Sequence, residues 1–194
     1  DRVFVVVRPP GHHAEGSRAM GFCLYSSLAI AALHARDQLG VKKIAVCDFD
    51  VHHGNGTEAI LSNEPGVLFI SSHQSPLYPG TGRDEDPRAG NIVNCSLTPQ
   101  SGSNEFREHW GEHLLPRIEA WKPDLILVSA GFDAHWRDPL AQLQLKDEDF
   151  FWVGHELKKI AQAQAQGRLA ASLEGGYDLK ALEESTLAFA EGIS

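Results

Sequence analysis

Short apolar runs alternate with longer, helix-patterned stretches along the whole chain. Arg2–Val7 is a β-branched run closed by Pro9, Pro10 and Gly11. Phe22–Leu39 reads as a helix, with Gly40 placed as its C-cap. Lys43–Asp48 and Val67–Ser71 are strand-like, separated by a short helix over Thr57–Leu61 and a turn at Pro65-Gly66. Gln74–Asn91 is rich in Gly, Pro and charge and reads as a functional loop; Ile92–Leu97 follows as an edge strand. Asn104–Trp121 is a helix that must accommodate Pro116, Leu125–Ser129 a strand, Glu148–Gln166 a helix and Leu169–Leu173 the last strand. Leu179–Ala190 closes the pattern as a helix with Asp178 at its N-cap. The strand runs are apolar throughout rather than alternating, as expected where helices cover both faces of a parallel sheet. Alternating strands and helices predict an α/β domain.

Ligands of open parallel sheets sit beyond the C-terminal ends of the strands, and polar chemistry collects at those places here. His12 and His13 follow the first run; Asp48, Asp50, His52 and His53 the second; Ser71, Ser72 and His73 the third. Asp133 and His135 follow Leu125–Ser129, and Glu174, two glycines and Tyr177 follow the last strand. Six of the ten histidines lie in these segments, which a surface scatter would not produce. If the strand persists through Asp48–His52, residues 48, 50 and 52 share one face. Two carboxylates and an imidazole buried together are costly unless a cation joins them. Asp50 and His52, with Asp133 from a neighbouring strand, make an O,N,O set with room for water, the pattern of a catalytic metal site. The competing reading is a structural ion-pair network or a solvated loop. Beside such a site His12 and His13 would serve as base and acid, and the Tyr177 hydroxyl would donate to an oxyanion. His109–His113 matches H-x-x-E-H, but it lies mid-helix with no third ligand in view and reads as a solvated helix face.

Composition narrows the class. A chain of 194 residues, 42% hydrophobic and 22% charged, fits one folded domain, 1–194. The net charge of −9 without a Lys/Arg cluster argues against a nucleic-acid partner. No apolar run reaches the ~20 residues of a membrane span. Three cysteines without C-x-x-C spacing fit a reducing compartment, taken as the cytoplasm. The chain opens in a strand already under way with no leader, so residues before Asp1 are expected.

Six stretches carry a resemblance: RPPGHHA (8–14), GFC (21–23), DFDVHHGNGT (48–57), SSHQSPLYPGTG (71–82), SAGFDAH (129–135) and EGGY (174–177). Together, and in this order, they are similar to the histone deacetylase superfamily, in particular its class II-like and bacterial members and their acetylpolyamine and acetoin-utilisation relatives. The resemblance implies an arginase/deacetylase-like three-layer α/β/α fold with a mostly parallel sheet. It also implies zinc-dependent deacetylation of acetyl-lysine or a small N-acetylated amine. Asp50, His52 and Asp133 match the ligands of one Zn2+ per chain. His12 and His13 match the tandem histidines, with His13 as general base, and Tyr177 the transition-state tyrosine. Gly21, Phe22 and Tyr78 match the wall of an acyl-lysine channel. Leu140 lies near a position where polyamine-specific members carry a selecting Glu. Asp48, the backbone of Asp50 and His52, Ser71 and Ser72 match a structural K+ site. Asp48 also matches the residue orienting the first histidine, and Asn55 stands behind the second. Gly54 and His135 fall where the extra carboxylates of two-manganese arginases would be, which disfavours a binuclear site. The family's domains are longer at the N-terminus, so the chain is expected to be the C-terminal portion of such a domain, with an exposed sheet edge favouring homo-oligomers. A non-catalytic acyl-binding protein and an arginase-like ureohydrolase are the alternatives.

Overall fold

The computed structural model describes every residue except Asp84 and Pro87; these two fall in the predicted functional loop and lie outside the described residues. In chain order the elements are β1 (Arg2–Val5), α1 (Ser27–Asp37), β2 (Ile44–Asp48), α2 (Asn55–Leu61), β3 (Val67–Gln74) and β4 (Ile92–Leu97). There follow α3 (Ser103–His109), a π-helical segment (Trp110–Leu114), α4 (Leu115–Trp121), β5 (Leu125–Ala130), α5 (Asp147–Gln164), β6 (Leu169–Leu173) and α6 (Leu179–Ile193). The six strands form one parallel sheet in the order β1-β6-β5-β2-β3-β4.

Side chains of the central strands serve two cores alternately. Ala45 and Cys47 of β2, with Leu68 and Ile70 of β3, join Phe49, Phe132, Phe150 and Phe189 beneath α3–α6. Ile44 and Val46, with Val67 and Phe69, join Leu28, Ala29 and Ala32 of α1. This two-sided burial is why β2 and β3 carry no polar alternation, and it makes three layers. At the edge the rule changes. In β1, Phe4 packs on the first core while Val3 and Val5 stay exposed, as do Val6 and Val7.

Some elements depart from the sequence pattern in ways that matter for the site or the core. Phe22–Ser26 is not helical: Gly21 (φ 55) and Phe22 (φ 65) are left-handed, and Met20 bridges Cys23 before α1 begins at Ser27. β3 runs three residues beyond Ser71 and takes Gln74 from the expected loop. The helix around Pro116 continues, but widens to π geometry just before it. Proline lacks the N–H that the carbonyl of Glu112 would receive, and a π segment is a known way to absorb such a defect. The turn also buries both Trp110 and Leu114.

Polarity of the sheet positions the site. Successive connections leave β2 toward β3 on one side and return to β5 on the other, so β2 and β5 flank the point where the order reverses. A crevice opens there at the C-terminal strand ends.

Candidate metal centre and active-site cavity

β2 stops at Asp48, so strand alternation does not align residues 48, 50 and 52 as expected. Two successive Asx-type turns do it instead. Asp48 Oδ1 accepts the Asp50 N–H (3.0 Å), and Asp50 Oδ1 accepts the His52 N–H (2.9 Å). Asp133 enters from the end of β5, where its Oδ1 accepts the Val51 N–H (3.0 Å). His52 Nδ1 then lies 3.1 Å from Asp50 Oδ1 and 3.1 Å from Asp133 Oδ2. The three donor atoms fall within 4.8 Å of one another, and among the described residues this is the group found with metal-ligand spacing.

The donor set fits a cation. One imidazole nitrogen carries at most one proton, yet it faces two buried carboxylate oxygens. Burial and the charge of Asp50 push the Asp133 carboxyl up, while His12 and His52 hold Asp50 down against burial. Burial would depress His52, but the two carboxylates outweigh it and raise its imidazole to about 10. The pocket thus draws positive charge to the point the three atoms share. Two oxygens and a nitrogen suit zinc or a similar divalent ion.

The tandem histidines stand beside this group with ring centroids 4.1 Å apart. His12 Nδ1 is 3.0 Å from Asp48 Oδ2. Burial opposes its charge, but Asp50, Asp48 and Glu174 raise the imidazole well above its ordinary value. Burial and the neighbouring His12 charge instead depress His13 to about 3. The pair is therefore split into one charged and one neutral ring. Asn55 Nδ2 donates to Glu15 Oε1 (2.9 Å), which turns Asn55 Oδ1 onto His13 Nδ1 at 2.8 Å. His13 Nδ1 must donate there, leaving Nε2 with a free lone pair.

A cavity of about 430 Å³ contains His12, His13, Asp50, His52 and Tyr177, and its walls include Gly21, Phe22, Tyr78 and Leu140. Tyr78 meets His13 edge-on at 5.1 Å, and Phe22 lies 6.1 Å from the Tyr177 ring. The left-handed backbone at residues 21–22 turns Phe22 outward, so it stands 70% exposed at the rim. Burial and the carboxylates of Asp133 and Asp50 push the Tyr177 phenol well up, so it keeps its proton.

Not every strand-end polar residue reaches the cavity. His53 bonds Thr81 and Glu58, and His73 bonds Ser71 and the Gly82 carbonyl. His135 is turned toward Asp147 at 3.8 Å. Asp48 and Ser71 are register partners across β2 and β3. Ser72 points to the opposite face, where its hydroxyl accepts from Trp110 Nε1 (2.9 Å), so that side chain does not face Asp48. His109 is not simply solvated: its Nδ1 lies 3.1 Å from the Cys95 thiol. A second carboxylate at residue 54 has no room, because a Cβ there would overlap the Asp48 carboxylate.

Other residues of the site were not assigned roles by sequence. Glu174 accepts the N–H groups of Gly11 (2.6 Å) and His12 (3.0 Å). Asp138 accepts those of Leu140 (2.9 Å) and Tyr177 (2.8 Å). Gly175 and Gly131 back directly on the ligand carboxylates: a Cβ would sit 2.5 Å from Asp133 Cγ at the first and 2.5 Å from Asp50 Cγ at the second. The repeated glycines beside each polar motif were the available signal.

Against known proteins, the family model described as the histone deacetylase domain matches residues 1–193. The chain is 43% identical to "Histone deacetylase 14, chloroplastic" of Arabidopsis thaliana, over 94% of this chain and 44% of that one. It is 40% identical to "Histone deacetylase-like amidohydrolase" of Pseudomonas aeruginosa, over 91% of this chain and 48% of that one. Among solved structures, the crystal structure of the HDA15 HD domain superposes with a TM-score of 0.91 at 35% identity, covering 98% of this chain and 54% of that one. The chain thus spans about half the length of these relatives. Among the described residues no helix is long and apolar enough to cross a membrane.

Proposed function

This chain belongs to the histone deacetylase family, and we propose that it takes part in zinc-dependent hydrolysis of an acyl amide, acetyl-lysine or a related N-acetylated amine, to acetate and free amine. The observation that carries the reading is the convergence of Asp50, His52 and Asp133 beside a split histidine pair that lines one cavity together with Asp50 and His52. Zinc held by these three residues would supply Lewis-acid polarisation of the amide carbonyl and of a water molecule. A structural potassium ion would lie with Asp48 and Ser71.

His13, neutral and with Nε2 free, takes a proton from the attacking water. Charged His12, held by Asp48, adds positive potential where the carbonyl oxygen gains charge. The protonated Tyr177 hydroxyl donates to that oxygen. A proton then passes from the histidine pair to the leaving nitrogen, so that water is consumed as one acetate and one amine form. Phe22, Tyr78 and Leu140 present an apolar wall suited to the aliphatic part of an acyl-lysine rather than to a cationic tail. The free cysteines support a reducing compartment such as the cytoplasm.

Metal analysis and an acetyl-lysine peptide assay on the full-length protein test this. His13→Ala should retain the metal and lose turnover, and Asp133→Ala should lose both. Parental activity in both variants would refute the assignment.

A further inference from the structure

We infer that Arg8 and Asp138 are positioning residues that clamp the two ends of one peptide group and thereby aim the Tyr177 hydroxyl. The inference rests on the proposed role of Tyr177 as the hydroxyl donor.

The segment following β6 has little regular bonding of its own. Gly176 has φ +132, a conformation open to glycine and strained for other residues. What fixes the segment is a series of contacts from elsewhere. The Gly175 N–H donates to Asp50 Oδ2 at 2.7 Å. The next peptide, Gly176–Tyr177, is held at both ends. Arg8 Nη2 donates to its carbonyl oxygen at 2.7 Å, and its N–H donates to Asp138 Oδ2 at 2.8 Å. In a trans peptide those two groups point in opposite directions. A cation at one end and an anion at the other therefore fix the rotation of the plane, and both bonds are charge-assisted.

That plane sets the direction in which Tyr177 leaves the backbone. The phenol oxygen lies at the far end of the ring, so a small rotation of the plane moves it about 1 Å, and misplacement of that size costs on the order of 10²-fold in rate. Arg8 acts twice, since its guanidinium also lies 5.4 Å from the Tyr177 ring centroid. Asp138 also acts twice. Its other oxygen holds the Leu140 N–H, tying the cavity wall to the tyrosine through one carboxylate. Arg8 leads out of β1 and Asp138 follows β5, so the clamp joins segments that meet only in the folded protein.

The test is a double-mutant cycle in the full-length protein, with kcat and KM for an acetyl-lysine peptide, bound metal and melting temperature measured together. Arg8 is exposed, so Arg8→Ala should fold and keep its metal. In the parent it should lower kcat about tenfold or more with KM within about twofold. In a Tyr177→Phe background, where no hydroxyl remains to aim, the same change should cost less than about twofold. Arg8→Lys, which keeps one cationic donor, should recover part of the lost kcat. Asp138→Asn, which keeps an acceptor, should be milder than Asp138→Ala. An equal cost of Arg8→Ala in both backgrounds, or no cost in the parent, overturns the clamp while leaving the role of Tyr177 intact. If Tyr177→Phe itself costs nothing, the hydroxyl has no role to serve and the inference falls with it.

Discussion

Replacing Gly175 by alanine adds one methyl group directly behind the candidate ligands. Gly175 does not occupy the left-handed region, so the change tests space rather than backbone strain. The new Cβ would lie 2.5 Å from Asp133 Cγ and 2.7 Å from Asp50 Oδ2, whereas ordinary contact begins near 3.4 Å. The two carboxylates must therefore retreat by at least about 0.7–0.9 Å, and Asp133 Oδ2, which the new carbon meets first, by more; this is several times the ~0.2 Å latitude of a metal–ligand distance. Hydrogen bonds oppose that retreat. Asp133 is tied to the Val51 N–H, and Asp50 to the N–H groups of His52 and Gly175. We expect zinc affinity to fall on the order of 100-fold, equivalent to about 2.8 kcal/mol. Overpacking should also lower the melting temperature of the metal-free protein. Competition against a chelator of known affinity reads the first effect, and a circular-dichroism melt the second. Gly16→Ala, where nothing lies within 4 Å of the added carbon, is the control and should change neither. Zinc binding within threefold of the parent, with an unchanged melt, would show that Asp50 and Asp133 do not meet the metal as placed here.

Metal affinity should rise with pH, because the cation must displace the proton that the two carboxylates hold on His52 at about 10; a pH series of the chelator competition should gain about tenfold per unit between pH 7 and 9. The same raised value gives the metal-free protein stability that is complete below the ordinary histidine range and lost as pH climbs toward 10, so its melting temperature should decline from pH 7 to 9 while that of the zinc-loaded protein holds. Glu15→Ala frees the Asn55 amide and should lower kcat severalfold at constant metal content; Glu15→Gln, which can still accept from Asn55 Nδ2, should restore it, and equal defects in the two variants would sink the orienting role. Iodoacetamide should label Cys95 first, since it sits partly exposed beside the His109 imidazole. Burial pushes the Cys23 thiol up to about 11 and Cys47 higher still, so native-state labelling of Cys47, read by peptide mass spectrometry, would contradict the packing.

The strands were legible because their burial is two-sided. Ile44–Cys47 and Leu125–Val128 are unbroken apolar runs for that reason, and the acids and imidazoles after them stand out against it. Asp50, His52 and Asp133 could be read from the strand-end rule, although the turns that converge them could not. Phe22–Ser26 misled because its apolar spacing continues the pattern of α1, while the left-handed pair at 21–22 responds to the cavity and not to neighbours in sequence. The roles of Glu174 and Arg8 were out of reach for another reason. Their partners lie 162 to 168 residues away, and no local pattern encodes such a pairing. The face of β1 that carries Val3 and Val5 shows the limit of the covered-sheet expectation, for it stays about half exposed.

β1 finds its sheet neighbour in β6, which is synthesised after the other four described strands. A ribosome delivers the histidine pair long before Glu174 exists to receive its backbone, or Arg8 has a carbonyl to hold. The candidate metal ligands that follow β2 and β5 can come together earlier on the emerging polypeptide than the groups beside them. Translation products that stop short of Leu169 would carry the candidate ligands without the groups beside them, and would leave β1 without its β6 partner, an edge for chaperones to cover. Such long-range closure also favours slow maturation, so the histidine pair should gain its Glu174 anchor only after the candidate metal ligands have been made.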